Sequence, residues 1–294
     1  MQNSTSLVGT WRSAAWLSVS LVALSLPGCV FPLVADDSAT AANQGGGSVK
    51  ADDVYAATMA LIGATQLVGL IDGETTVSDE AASAVASRMR TRLASATCLA
   101  VGGQGASVTI DFKSGCTLPG SPIPLTGKAT VSASIVGAAA ARTLVLDVAL
   151  DDFGAGGKTA TGGATLTVRA ANDGLDVDLT MKMLSGDAAL SGGMHVDVML
   201  DKTTAKTTKI VFSTLPDTMV VSGATALSVD ASAVTFAAGD CYPSAGSIVF
   251  TSAGLKATLA FDSETTQSGE AQMTPPLSKK SEPLPLPGRG WKCG

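Results

Sequence analysis

From Ala106 to about residue 273 the side chains alternate between apolar and polar, and a period of two restricts this stretch to antiparallel β-structure with one dry and one wet face. In RTLVLDVALDD (142–152), Leu144, Leu146, Val148 and Leu150 fall on one side, Asp147 and Asp151 on the other. GLDVDLTMKM (174–183) sets Leu175, Val177, Leu179 and Met181 against Asp176, Asp178 and Lys182. GGMHVDVML (192–200) sets Met194, Val196, Val198 and Leu200 against His195 and Asp197. Strands buried on both faces, as in parallel sheets, would carry continuous apolar runs instead. Asn172-Asp173-Gly174, between two of these segments, reads as a hairpin turn.

A small or hydroxyl residue and a glycine open five such stretches, at TGKATVSASIV (Thr126), TGGATLTVRA (Thr161), SGGMHVDVML (Ser191), SGATALSV (Ser222) and AGSIVFTS (Ala245). They read as strand starts. Their intervals of about 23 to 35 residues suit a strand pair with its turns and are too irregular for a propeller or solenoid. A meander of about ten strands must curl. The expected fold is therefore mainly β: a large curved antiparallel β-meander, barrel or half-barrel, with an N-terminal helix pair packed on it. The tail from Thr274 carries Pro275, Pro276, Pro283, Pro285 and Pro287, so the sheet is expected to end near Met273.

Residues 51–97 carry the only helical period. DDVYAATMALIGATQLVGLID aligns Val54, Leu61, Ile62, Thr65 and Val68, has acids at its start, and stops near Gly73. A second segment begins at Ser78 with Asp79 and Glu80 in its first turn and aligns Ala82, Val85, Met89, Leu93 and Ala96. Arg88, Arg90 and Arg92 lie on its other faces and read as a solvated flank rather than a partner site.

Residues 1–28 have the three parts of a secretory signal: a polar start with one cation, Arg12, then the apolar run AAWLSVSLVALSL, then a small-residue end. That run, about 13 residues long, is shorter than the roughly 20 that span a bilayer. The end, Leu26-Pro27-Gly28-Cys29, resembles the bacterial lipobox, which implies cleavage before Cys29 and its acylation by palmitate-type chains. Residues 29–50 then form a flexible linker rich in Gly, Ser, Ala and Asn, with a coil reach of roughly 25 Å. The plan continues with the helical segment (51–97), the antiparallel β domain (98–274) and a Pro-rich C-terminal tail (275–294). Several acyl chains make such an anchor permanent.

Removal of the signal takes away Arg12 and no acid, leaving 18 basic against 25 acidic side chains. An acidic chain without a basic stripe disfavours nucleic acid and anionic headgroups as partners. Aromatics make up only 4% of the chain, with Trp291 the only mature tryptophan and Tyr55 and Tyr242 the only tyrosines. Stacking platforms for carbohydrate are therefore scarce. Besides Cys29, the mature chain holds Cys98, Cys116, Cys241 and Cys293, an even number for a compartment that permits disulfides. Three pairings are possible; Cys98–Cys116 and Cys241–Cys293 each bracket one structural block and are favoured.

No catalytic or metal site is expected. No CxxC, GxSxG, HExxH or Walker loop occurs, and His195 is the only histidine. His195 lies mid-strand beside Asp197 on the polar face, where a solvated histidine is the simpler reading than a general base. The paired side chains Asp151–Asp152, Asp176–Asp178 and His195–Asp197 read as solvated acids in preference to a weak calcium site.

At VTIDFKSGCTLPGS (108–121) and CYPSAGSIVFTSAGLKATLAFD (241–262) the chain resembles uncharacterised exported lipoproteins of myxobacterial type. Cys98, Asp111, Phe112, Gly115 and Cys116 match that pattern's first part, and Cys241, Pro243 or its neighbour, and Gly246 match its second; the cysteine after the last hairpin is displaced here into the tail as Cys293. The resemblance covers some 200 residues and implies architecture without an assigned activity. With Val30, and not aspartate, after the anchor, it implies attachment at the outer membrane of a Gram-negative envelope. The expected role is a structural or protein-interaction one, without enzymatic activity or cofactor, whose partners are the membrane through the N-terminal lipid and other envelope proteins. The alternative is a half-barrel carrier that binds a lipid or other hydrophobic ligand.

Overall fold

The computed structural model describes Val49, Val54, Ala57, Thr58, Leu61, residues 66–71 and 77–93, and most of 98–286. Within the last range, 117–124, 139–140, 156–157, 186–187, 216–218 and 223–225 and positions 202, 205, 239 and 241 lie outside the described residues. So do the signal segment, Cys29, the linker apart from Val49, Ile62, Thr65, Ala96, Cys241, Cys293 and the end of the tail.

The chain is mainly antiparallel β. Its strands are β1 (Leu99–Gly102), β2 (Ser107–Cys116), β3 (Leu125–Val136), β4 (Thr143–Ala155), β5 (Lys158–Ala171), β6 (Gly174–Ser185), β7 (Ala188–Leu200), β8 (Thr207–Thr214), β9 (Met219–Ser222), β10 (Leu227–Ala237), β11 (Ala245–Ser252), β12 (Leu255–Phe261), β13 (Glu270–Thr274) and β14 (Glu282–Pro285). All 14 join one sheet in chain order, except that β9 pairs with β7 and β10. β8 and β9 run in the same direction, end to end, between β7 and β10, so they fill one position of the meander. The break between them is anchored where Leu215 N–H donates to the Gly193 carbonyl at 3.0 Å. The sheet is not closed: β1 and β14 each pair on one side only. A closed barrel, one of the two shapes expected from the alternation, is not formed.

The alternation runs as the sequence indicates. Leu144, Leu146, Val148 and Leu150 of β4 are buried, as are Leu175, Val177, Leu179 and Met181 of β6, while Asp147, Asp151 and Lys182 are exposed. Leu200, at the end of β7, is only partly buried. Two irregularities shift the phase. In β4 the register skips between Leu150 and Phe153, where Asp152 takes φ 46°, and in β10 it skips between Ser232 and Thr235, where Ala233 takes φ 48°. Each is a bulge that lets two inward residues stand three apart, Leu150 with Phe153 and Ala231 with Val234. Opposite them on the neighbouring strands sit Gly127 and Gly246, whose missing side chains make room for the displaced carbonyls of Asp152 and Ala233.

Three sequence expectations need correction. The TGGAT and SGGMH motifs are not strand starts, because β5 and β7 begin three residues earlier at Lys158 and Ala188. The sheet does not end near Met273. β14 pairs Glu282 with Met273 and Pro285 with Glu270, and Leu286, itself buried, donates its N–H to the Gly269 carbonyl at 2.7 Å. Proline is tolerated there because β14 is an edge strand. At the other edge β1 lies inside the expected β domain (98–274), ahead of the alternating stretch. The helical period, finally, is not confined to 51–97, since Thr265–Ser268 forms a single turn.

Val54, Ala57, Thr58 and Leu61 are helical and buried at the i, i+3, i+4, i+7 spacing of one face. Gln66–Ile71 then tightens to a 3-10 segment that buries Val68, Leu70 and Ile71. The next helix, α1 (Ala81–Leu93), starts after Ser78, Asp79 and Glu80 rather than with them, its first i→i−4 bond running from Ala84 N–H to the Glu80 carbonyl. Asp79 instead pairs with Arg142 at the entrance to β4. Ala81, Ala82, Val85, Ala86, Met89 and Leu93 are buried against β1–β4, and the three alanines allow close approach to the sheet. Arg90 is not part of a free basic flank. It donates to the carbonyls of Ser107 at 2.8 Å and Gly105 at 3.0 Å, fastening the β1–β2 turn to the helix. A disulfide joins Cys98 to Cys116, with Cα atoms 5.1 Å apart, at the outer end of the same hairpin.

Candidate functional site

The polar face of β5–β7 carries the chain's only imidazole and, among the described residues, most of the charge pairing on the sheet. Two hairpins create the juxtaposition. In the β5–β6 hairpin Ala171 faces Gly174, which sets Arg169 opposite Asp176. In the β6–β7 hairpin Ser185 faces Ala188, which sets Asp178 opposite His195 and Asp176 opposite Asp197. Because side chains two apart on a strand share a face, four ligand-type groups occupy the corners of one cross-strand square.

Their geometry is specific. His195 Nδ1 lies 3.0 Å from Asp178 Oδ1 and 3.6 Å from Asp176 Oδ1, while Nε2 lies 3.4 Å from Asp197 Oδ1. Arg169 Nη1 donates to Asp178 Oδ2 at 2.7 Å and stands 3.5 Å from Asp176 Oδ1. The acceptors, the imidazole and the guanidinium are all partly exposed. The hydrogen bond to Asp178 raises the His195 pKa above its ordinary 6.5, against the opposing effect of burial and with support from the charges of Asp176, Asp197 and Asp178. For Asp178, burial alone would raise the pKa; the bonds and charges of His195 and Arg169 outweigh it and leave it below 3.8.

Carboxylates at both nitrogens favour the imidazolium form of His195, and an imidazolium has no lone pair to act as a base. Ser213 faces His195 across the β7–β8 register, yet its Oγ accepts the Ala233 N–H at 3.0 Å. The serine, histidine and aspartate of three adjacent strands thus stand side by side on the wet face. Beside the cluster, a shallow depression of about 410 Å³ opens over Gly163, walled by Asp147, Thr165, Thr180 and Lys182. Thr165 Oγ1 donates to Asp147 at 2.7 Å within it.

Of the three pairs that stand out in the sequence, the structure unites Asp176–Asp178 with His195–Asp197. Asp151–Asp152 lies apart, at the β4 bulge. No sequence motif marks Arg169, although counting back from the Asn172-Asp173-Gly174 turn places it against Asp176. Of the expected lipidation and disulfide residues, Cys98 and Cys116 are joined, whereas Cys29, Cys241 and Cys293 lie outside the described residues. Among the described residues no helix is long and apolar enough to cross a membrane. Comparison with protein-family models, with curated proteins and with solved structures gives no match to this chain.

The cluster yields a pH signature. His195, with its folded pKa raised, stabilises the fold fully below its unfolded value of 6.5, and that contribution disappears as pH rises through the folded value. Asp178, with its folded pKa lowered, contributes above 3.8 and loses that contribution as pH falls through the folded value. Maximal support therefore falls between 3.8 and 6.5. The His195 side chain is 37% exposed, so solvent screening holds its share below about 1 kcal/mol. Urea titrations of the wild type and His195→Gln should converge in stability between pH 6.5 and 9. A constant difference across that range would refute the assignment.

Proposed function

We propose that the chain is a membrane-anchored lipoprotein of the bacterial envelope with a structural or protein-interaction role and no enzymatic activity. The observation that carries this reading is the use made of the apolar face. Inward side chains from β1 to β13 join those of α1 and the preceding helical residues in one buried cluster. A flat sheet of thirteen positions at about 4.8 Å spacing would be roughly 60 Å wide. The 13-residue α1 lies against β1–β4 alone. The remaining strands are covered if the sheet curls into a half-barrel around the N-terminal helices, so that its own side chains fill the interior. Binding chemistry is then left to the wet outer face.

The anchor belongs to the same proposal. Leu26-Pro27-Gly28-Cys29 supplies the acylation signal, residues 30–50 the tether, and Val30 the reason to favour the outer membrane. The likeness to exported lipoproteins of myxobacterial type supports this reading through the residues quoted above. Cys29→Ala is expected to move the protein from the membrane to the soluble fraction of fractionated cells; continued sedimentation with membranes would overturn the anchor. Native mass spectrometry of the wild type, extracted in detergent, should show the chain with its covalent acyl groups alone. A stoichiometric, non-covalently held lipid would replace the structural role with that of a hydrophobic carrier.

A further inference from the structure

We propose that the outer face of β6 and β7 binds one divalent transition cation of the Zn²⁺ class, through His195 Nδ1, Asp176 Oδ1 and Asp178 Oδ1. The three ligand atoms all lie within 4.8 Å of one another. A tetrahedral ion with bonds of about 2.0–2.2 Å needs its ligand atoms about 3.3–3.6 Å apart. The two nitrogen–oxygen separations, 3.0 and 3.6 Å, bracket that edge. On the two nitrogen edges an ion can therefore be seated by shifts of a few tenths of an ångström, and rotation of the two carboxylates, whose oxygens lie within 4.8 Å of each other, closes the third edge.

The surrounding groups carry the inference beyond a patch of neighbouring acids. A metal-bound histidine ordinarily offers its other ring nitrogen to a carboxylate, which fixes the tautomer and orients the ring. Asp197 stands in that place, 3.4 Å from Nε2. A ligating carboxylate is ordinarily held by its second oxygen, and Arg169 donates to Asp178 Oδ2 at 2.7 Å, leaving Oδ1 turned to the imidazole. Without an ion, two carboxylates converge on Nδ1, which has one hydrogen to donate. Asp178 Oδ1 receives it at 3.0 Å, while Asp176 Oδ1, at 3.6 Å from Nδ1, has only the long 3.5 Å bond from Arg169 Nη1. A cation replaces that single proton and satisfies both oxygens together; the proton leaves to solvent.

The mixed nitrogen and oxygen set favours Zn²⁺ over Ca²⁺ or Mg²⁺, which prefer oxygen alone and more ligands. Sequence motifs do not reveal the site because its ligands come from two strands and are joined by register, with a single histidine.

The test uses the full chain in detergent, with metal removed by chelator. His195 is the only histidine, so its imidazole signals in a ¹⁵N–¹H correlation need no assignment and exclude binding by cysteines. One equivalent of Zn²⁺ is expected to convert Nδ1 to a metal-bound nitrogen while Nε2 keeps its proton. Asp176→Asn should weaken this response at least tenfold, and Asp197→Asn should weaken it 10- to 100-fold, with the imidazole signals confirming in each case that the fold is retained. The proposal fails if Zn²⁺ leaves the imidazole unchanged, if Asp176→Asn binds as tightly as the wild type, or if Ca²⁺ produces the same response.

Discussion

A Gly127→Val chain is expected to lose at least about 4 kcal/mol of stability, which places it among the exceptional single substitutions. Gly127 holds φ +81°, and a Cβ there would lie 2.0 Å from the Asp152 carbonyl oxygen, 2.5 Å from its carbon and 2.8 Å from the Phe153 Cα. All three atoms are backbone, so no rotamer change relieves the collision. The left-handed conformation alone costs an L-residue about 1–2 kcal/mol, and valine's branching makes it worse. Gly105 separates the two effects. It holds φ +56°, and a Cβ placed there would meet no heavy atom within 4 Å, so Gly105→Val should show the conformational cost alone. Urea unfolding followed by far-ultraviolet circular dichroism gives both values. Equal losses at the two positions would show that the bulge at Asp152 yields freely.

The bulge matters because it sets which residues point inward beyond it. Leu150 and Phe153 are both buried although three apart, and only the extra residue at Asp152 permits this. Expelling the Asp152 carbonyl from the space over Gly127 would restore strict alternation and turn Phe153 to the wet face. The expected loss thus comes from the core as well as the contact.

These details mark where the sequence is readable and where it is not. The runs through Leu144–Leu150 and Leu175–Met181 reveal strand, face and antiparallel pairing because burial on one side imposes a period of two. The stripe Ala82, Val85, Met89 and Leu93 reveals α1 for the same reason at a period of 3.6. Bulges at Asp152 and Ala233 break the period without a composition cue, since neither is glycine. β1 shows no alternation because an edge strand is short, and β14 escapes notice because proline argues against a strand unless its edge position is known. The candidate site is half visible. Asp176, Asp178, His195 and Asp197 stand out singly, but their union needs the β6–β7 register, which follows from Ser185 facing Ala188. Arg90 reads as a free cation because its acceptors, the Ser107 and Gly105 carbonyls, are backbone atoms that no residue type announces.

Phe153→Ala should cost about 3–5 kcal/mol, the range for emptying a buried aromatic site. Phe153 and Phe112 are each 1% exposed, with ring centroids 5.1 Å apart and planes at 79°, an edge-to-face contact between β4 and β2. These strands are not hydrogen-bonded to each other, since β3 lies between them. The ring pair therefore spans a full strand, with Gly127 of β3 directly opposite Phe112 in register. Glycine at that position leaves the inward space to the two rings, which ties the bulge, the glycine and the aromatic pair into one packing unit. Phe112→Ala should cost a similar amount, and the double variant should lose about 0.5–1.5 kcal/mol less than the two single losses together, because the contact is counted in both. Strict additivity would mean that the rings pack independently and that the bulge serves only to bend β4. A coupling of the expected size would mean that the bulge exists to bring Phe153 across β3 onto Phe112, which a regular strand could not do.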